Sequence, residues 1–92
     1  MDDSVVLSPA ATRDLDRLPA ERRTQVIDAL RALGSDPKAP GLAVKQLRGF
    51  RPPLLRLRSG DYRVLFRVVG RALHVYRVID RKDLERTLRK MR

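Results

Sequence analysis

The apolar period of this chain switches from helical to two at the Pro52-Pro53 pair, and that switch restricts the fold more than any other feature of the sequence. Before it, Ala11, Leu15 and Leu18 recur at helical spacing, and so do Val26, Ile27, Leu30 and Leu33. After it, Leu55 and Leu57 alternate with Arg56 and Arg58, and Val64, Phe66 and Val68 alternate with Arg63, Leu65 and Arg67. Striped helices and one-faced strands bury their apolar sides against each other, so the expected class is α+β. With 92 residues there is room for one core and therefore one domain, residues 1–92.

Local signals set the boundaries. Residues 5–7 read as a short opening strand, followed by Ser8 as a helix N-cap with Pro9 in the first helical position. The first helix then covers residues 9–18. Pro19 opens a second, which Gly34 and Asp36-Pro37 end, giving a helical hairpin. Residues 35–53, rich in Pro and Gly, read as loop. Two strands follow, and Gly70-Arg71 suits a two-residue hairpin turn into a third strand over residues 72–79. The expected sheet is an antiparallel meander. Asp80 then caps a C-terminal helix with Leu84, Leu88 and Met91 on one face, its acids first and its bases last, as the helix dipole favours.

The apolar pattern also selects a register. Pairing Leu57 with Val64 and Leu55 with Phe66 sets Arg58 opposite Arg63 and Arg56 opposite Leu65, with residues 59–62 as a four-residue loop. Across the next turn, Val68 meets Leu73, Phe66 meets Val75, Arg67 meets His74 and Leu65 meets Tyr76. The second face of the sheet then collects Arg56, Arg58, Arg63, Arg67, His74 and Tyr76. Like charges directly opposed destabilise a sheet, so such a face calls for an anion.

Charge distribution points the same way. The chain carries a net charge of +10, yet residues 1–44 hold six Lys/Arg against seven Asp/Glu, whereas residues 45–92 hold fifteen against four. A polyanion is the implied partner, nucleic acid first. The absence of cysteine and the single histidine exclude a thiol nucleophile, a disulfide framework and an imidazole metal cluster, and no cofactor is expected. The acidic start, Met-Asp-Asp-Ser, lacks the cationic flank of a signal peptide, and no run reaches the ~20 apolar residues of a membrane span. A cytoplasmic location is the corresponding expectation.

The segment Leu57-Arg58-Ser59-Gly60-Asp61-Tyr62-Arg63-Val64-Leu65-Phe66, with Lys45-Gln46-Leu47-Arg48-Gly49 before it and Val78-Ile79-Asp80-Arg81-Lys82-Asp83-Leu84 after it, closely resembles the strand-turn-strand signature of the RelE/ParE superfamily of bacterial toxins. The resemblance spans nearly the whole chain, and its middle motif is the specific part. It implies a RelE-like microbial ribonuclease fold and a cognate, RelB-like antitoxin that wraps the basic surface. Relatives of the RelE type cleave messenger RNA on the ribosome without a metal, by driving the 2′-hydroxyl onto the adjacent phosphate. Those of the ParE type inhibit DNA gyrase instead. A third alternative is a weakened toxin that acts with its antitoxin at operator DNA.

On the ribonuclease reading, Arg63 and Arg81 match arginines of the family, with Arg56 and Arg58 at neighbouring basic positions, all four serving the phosphorane charge. Arg81 is expected in the first turn of the last helix, where free N–H groups favour a phosphate. Many RelE-like members place a tyrosine shortly after that arginine, but this chain has Glu85 in the closest slot. A carboxylate there can act as general base or form an ordinary ion pair with Arg81 or Arg89. Lys45, Arg48, Arg51 and Arg67 are candidate RNA contacts through phosphate. Tyr62 and Tyr76 are candidates for base stacking, with a loop anchor and sheet packing as their alternatives. His74, the sole imidazole, is a candidate proton shuttle, but mid-strand and away from the Arg81 end it reads first as a structural or backbone-contact residue.

Overall fold

The computed structural model describes residues 5–36 and 41–92. The acidic start and the readings at Pro37 and Pro40 lie outside the described residues. The elements are β1 (Val5–Leu7), α1 (Pro9–Asp16), α2 (Ala20–Ser35), β2 (Val44–Leu47), β3 (Leu54–Ser59), β4 (Tyr62–Val69), β5 (Ala72–Asp80), a 3-10 turn (Arg81–Asp83) and α3 (Leu84–Met91). The five strands form one sheet in the order β1-β5-β4-β3-β2. β1 runs parallel to β5, and the other pairings are antiparallel. The meander expected from the sequence is thus the centre of a wider, mixed sheet. No helix among the described residues is long and apolar enough to cross a membrane.

Caps set the helices as the sequence suggests. Ser8 Oγ accepts from Ala11 N at 3.0 Å and donates to the Tyr76 carbonyl at 2.8 Å, so one side chain both opens α1 and ties it to β5. Past α1, the Arg23 guanidinium donates to the carbonyls of Leu15, Asp16 and Leu18 at 3.0, 3.2 and 3.0 Å. These bonds satisfy acceptors that the helix end leaves open and close the hairpin to α2.

Residues 44–47, taken as loop from their Gly- and Pro-rich surroundings, form β2 instead. Val44 pairs with Leu57 and Leu47 with Leu54, so β3 supplies the partner that a four-residue run cannot advertise by itself. The β3–β4 register is as expected, Leu57 with Val64 and Arg58 with Arg63, and it continues to Ser59 with Tyr62. The turn is therefore the two residues Gly60-Asp61, not four, with Gly60 at φ +57°.

Between β4 and β5 the register is as expected from Val68 with Leu73 to Phe66 with Val75, and then shifts: Leu65 pairs with Arg77, not Tyr76. Continued without a bulge, the ladder would have carried Arg77 onto the core face opposite Val64. The bulge brings Val78 there in its place. Arg77 instead meets Asp14 on α1, at 2.8 Å through Nε and 3.1 Å through Nη2, and the same carboxylate accepts from Val78 N at 2.9 Å. This hydrogen-bonded carboxylate holds Arg77 above the ordinary arginine value despite its partial burial.

The sheet has two buried faces. On the first, Leu57, Val64, Phe66, Leu73, Val75 and Val78 pack beneath Ala11 and Leu15 of α1 and Val26, Leu30 and Leu33 of α2. On the second, Leu54, Leu65 and Ile79 pack beneath Leu88 of α3, with Leu84, Met91, Leu47, Phe50 and Tyr76 around them. The strands were expected to carry one apolar face each. Leu54, Leu65 and Ile79 give the other face an apolar band as well, and the stripe of α3 covers it.

Candidate nucleic-acid interface

Strand alternation puts Lys45 of β2, Arg56 and Arg58 of β3 and Arg63 of β4 on the second face, beside the apolar band under α3. Lys45 is the neighbour of Arg56 across the β2–β3 ladder, and Arg58 is the neighbour of Arg63 across β3–β4. Arg81 joins them from the 3-10 turn after β5. Arg63 is the centre of the group: its guanidinium lies below the ordinary arginine value, first because it is partly buried and then because Arg56, Arg58 and Arg81 repel its charge, with Asp61 opposing them. The four arginines singled out in the sequence are thus brought together. Arg56 is half-buried, and its Nε is enclosed without a hydrogen-bond partner. Such an enclosed donor is costly unless an acceptor reaches it.

The tight turn between β3 and β4 orders this group. Nη1 of Arg63 donates to the carbonyls of Gly60 and Tyr62, both at 3.0 Å. Arg81 N donates to the Asp61 carbonyl at 2.8 Å, and Arg81 Nε lies 3.9 Å from Asp61 Oδ1. Arg81 was expected beside free helix N–H groups. It sits in a 3-10 turn instead, with its own N–H taken by Asp61 and that of Lys82 taken by the Asp80 carboxylate at 3.0 Å. These two N–H groups are therefore not open to an anion, and the contribution of Arg81 is its guanidinium.

A groove of about 270 Å³ opens between β2 and α3, with Lys45, Arg48, Glu85 and Arg92 on its walls and Leu47 and Leu88 among its apolar lining. Glu85 therefore shares this groove with Lys45 of β2 and with Arg48 just after it. It forms no ion pair with Arg81 or Arg89 among the described residues, where the partner of Arg81 is Asp61. Because Lys45 is also the neighbour of Arg56, the groove and the arginine group form one basic tract. Arg92, which the sequence did not single out, lines this groove and stands over the Phe50 ring at 5.4 Å.

Other candidates are placed elsewhere. Arg67 donates Nε to the Pro52 carbonyl at 3.1 Å and lies over the Tyr76 ring at 5.4 Å, so this pair holds the 48–53 loop to the sheet. Tyr76 itself packs against the second apolar cluster. Tyr62 packs against the first cluster, on the side of the sheet away from the arginines. Arg51 is exposed on the 48–53 loop. His74 pairs with Arg67 and Val6, toward the opposite end of β5 from Arg81. Asp61 was not singled out either, although its place in the Gly60-Asp61 turn, one residue from Tyr62-Arg63, was a usable signal. Among the described residues, no three of His, Asp and Glu gather as a metal site would require.

A second, apolar groove of about 290 Å³ lies between β1 and the helices, lined by Val5, Leu7, Leu15, Ile27, Leu30 and Arg31. β1 is an edge strand, and Val6 and Leu7 are 45% and 36% exposed.

The family model described as ParE toxin of type II toxin-antitoxin system, parDE, matches residues 5–85. In structure, the chain is similar to the toxin-antitoxin complex RelBE2 from Mycobacterium tuberculosis at a TM-score of 0.72 and 26% identity, covering 84% of this chain and 95% of that one. It is also similar to the RelB-RelE complex from Methanococcus jannaschii, at a TM-score of 0.74 and 20% identity over 89% of this chain and 96% of that one. The isolated E. coli RelE toxin matches at a TM-score of 0.65 and 20% identity, over 90% and 96%. No curated protein matches in sequence.

Proposed function

The chain belongs to the ParE toxin family of type II toxin-antitoxin systems, within the RelE/ParE superfamily and with a RelE-like fold, and on that premise we propose that it is an endoribonuclease that cuts messenger RNA on the ribosome. The observation that carries this reading is the convergence of Arg56, Arg58, Arg63 and Arg81, close enough that the other three add to burial in holding Arg63 below the ordinary arginine value, with Asp61 the carboxylate that opposes them among the described residues. Such a group is built for a doubly charged phosphorane, which it stabilises more than it stabilises the singly charged diester.

In the proposed reaction the 2′-oxygen loses its proton and attacks the adjacent phosphorus, the bond to the 5′-oxygen breaks as that oxygen takes a proton from water, and a 2′,3′-cyclic phosphate and a 5′-hydroxyl result. No metal takes part in these steps. Arginines supply the charge, and Glu85, in the same tract, is the proposed acceptor of the 2′-hydroxyl proton. Lys45, Arg48 and Arg51 hold flanking phosphates, and Arg67 with Tyr76 supports the loop that carries two of them. The proposed partner that restrains this activity in the cytoplasm is a RelB-like antitoxin. An acidic segment suits the basic tract, and an apolar segment suits the groove beside β1.

A second reading follows from the same site. Tyr62 packs on the first face, Tyr76 is held in the second apolar cluster beneath Arg67, and His74 lies toward the far end of β5, which leaves one carboxylate as the sole proposed base, and the matched family is named for ParE. On that reading the tract binds DNA gyrase and cleaves nothing. Expressing the toxin alone, mapping RNA 5′ ends and assaying gyrase from the same cells separates the two. New 5′-hydroxyl ends inside translated codons are the expected result. Intact messages with blocked gyrase would establish the second reading in place of the first.

A further inference from the structure

We propose that Asp61 is a built-in counter-anion, a positioning residue that holds Arg81 in the free protein and yields it to an incoming phosphate. The role of the phosphate rests on the ribonuclease reading, but the behaviour of Asp61 does not require cleavage. Four acids lie in the basic half of the chain. Asp80 is engaged by Lys82 N at 3.0 Å, Asp83 pairs with Arg86 at 2.9 Å, and Glu85 faces the β2 groove. Asp61 is the acid turned to the arginine group, with Oδ1 3.9 Å from Arg81 Nε.

Two features make the contact exchangeable. Both side chains are about two-thirds exposed, 67% for Arg81 and 64% for Asp61, and at 3.9 Å no close hydrogen bond holds them. An exposed pair of this length adds little to stability, so a phosphate that also meets Arg63 and Arg58 offers Arg81 the better partner. The backbone is fixed while the side chain is free: the Arg81 N–H on the Asp61 carbonyl at 2.8 Å keeps the 3-10 turn beside the β3–β4 turn whichever anion Arg81 faces. The carboxylate offsets the repulsion that Arg56, Arg58 and Arg81 exert on Arg63, and its removal leaves that repulsion unopposed at the turn. Asp61 thus keeps Arg81 near the site in the free state and lowers the site's affinity for phosphate.

The test titrates inorganic phosphate into the full chain while following the Nε–Hε resonance of Arg81 by NMR. Asp61→Asn keeps size and backbone, and thermal unfolding confirms that it folds as the parent does. The expected result is a shift of the Arg81 signal on substitution alone, and a several-fold lower phosphate concentration for half-saturation. In an Arg81→Gln background, Asp61→Asn should raise phosphate affinity at Arg63, read from its own Nε–Hε signal, by clearly less than in the parent, the remainder being the direct attraction between Asp61 and Arg63. An unaltered Arg81 signal in Asp61→Asn, or a gain in affinity of equal size without Arg81, would overturn the proposal. An Arg81 signal insensitive to phosphate in the parent would do the same. RNA cleavage measured on the same variants reports separately on the ribonuclease reading: intact RNA with the NMR outcome as expected removes that reading and leaves Asp61 in its role.

Discussion

At the scale of single residues, the basic face is held by carbonyls as much as by charge. Arg63 spends Nη1 on Gly60 and Tyr62, which leaves the rest of its guanidinium to an anion. A lysine cannot hold two carbonyls and present a planar fork at once. Arg63→Lys is therefore expected to lose most of the activity that Arg63→Ala loses, roughly 10²-fold in RNA cleavage, as for a missing oxyanion donor. Stability should change little, which urea unfolding of both variants checks. Asp14 behaves in the opposite way. It is 10% exposed and satisfies both Arg77 and Val78 N, so Asp14→Ala should cost about 2 kcal/mol in urea unfolding, the scale of hydrogen bonds to a buried charge. The arginines of the site were legible as residues on one face. The pairing of Asp14 with Arg77 was not, because it joins positions 63 residues apart.

At the scale of elements, the informative departures are β2, the β5 bulge and α3. A four-residue strand inside a Gly- and Pro-rich stretch carries too short a pattern to read, and it forms because β3 presents an open edge. The bulge at Leu65/Phe66 is a choice between two ladders, decided by which of Arg77 and Val78 enters the core. For α3 the stripe Leu84, Leu88 and Met91 was legible, but its destination depended on recognising Leu54, Leu65 and Ile79 as a matching band among arginines. Leu88 is 3% exposed in this small second cluster. Leu88→Ala should therefore cost about 2 to 4 kcal/mol and lower the unfolding temperature. It should also reduce RNA binding, since the groove holding Lys45 and Glu85 has α3 as one wall. Gly60→Val puts a β-branched residue at φ +57°. About 1 to 3 kcal/mol of strain is expected in unfolding measurements, together with displacement of the turn carbonyl that orients Arg63.

At the scale of the whole molecule, one sheet separates two tasks: α1 and α2 on its first face make the larger core, and the second face shares its area between the α3 cluster and the basic tract. If the four arginines each neutralise one phosphate, log K for a non-cleavable single-stranded RNA should fall with log salt at a slope of about −3, from roughly 0.7 per contact. A slope near zero would mean that the tract does not meet the RNA backbone. The sequence alone determined the class of fold, the central hairpins and their register up to Phe66, and the gathering of Arg56, Arg58 and Arg63, because alternation and turn glycines are local signals that specify faces. Tertiary structure decided what those faces meet. It added β2 and the parallel β1 pairing, shifted β5 by one residue, laid α3 beside the arginines, turned Tyr62 away from them, and set Asp61 beside Arg81. Each of these rests on contacts between distant segments, whose energies exist only after the chain has closed on itself.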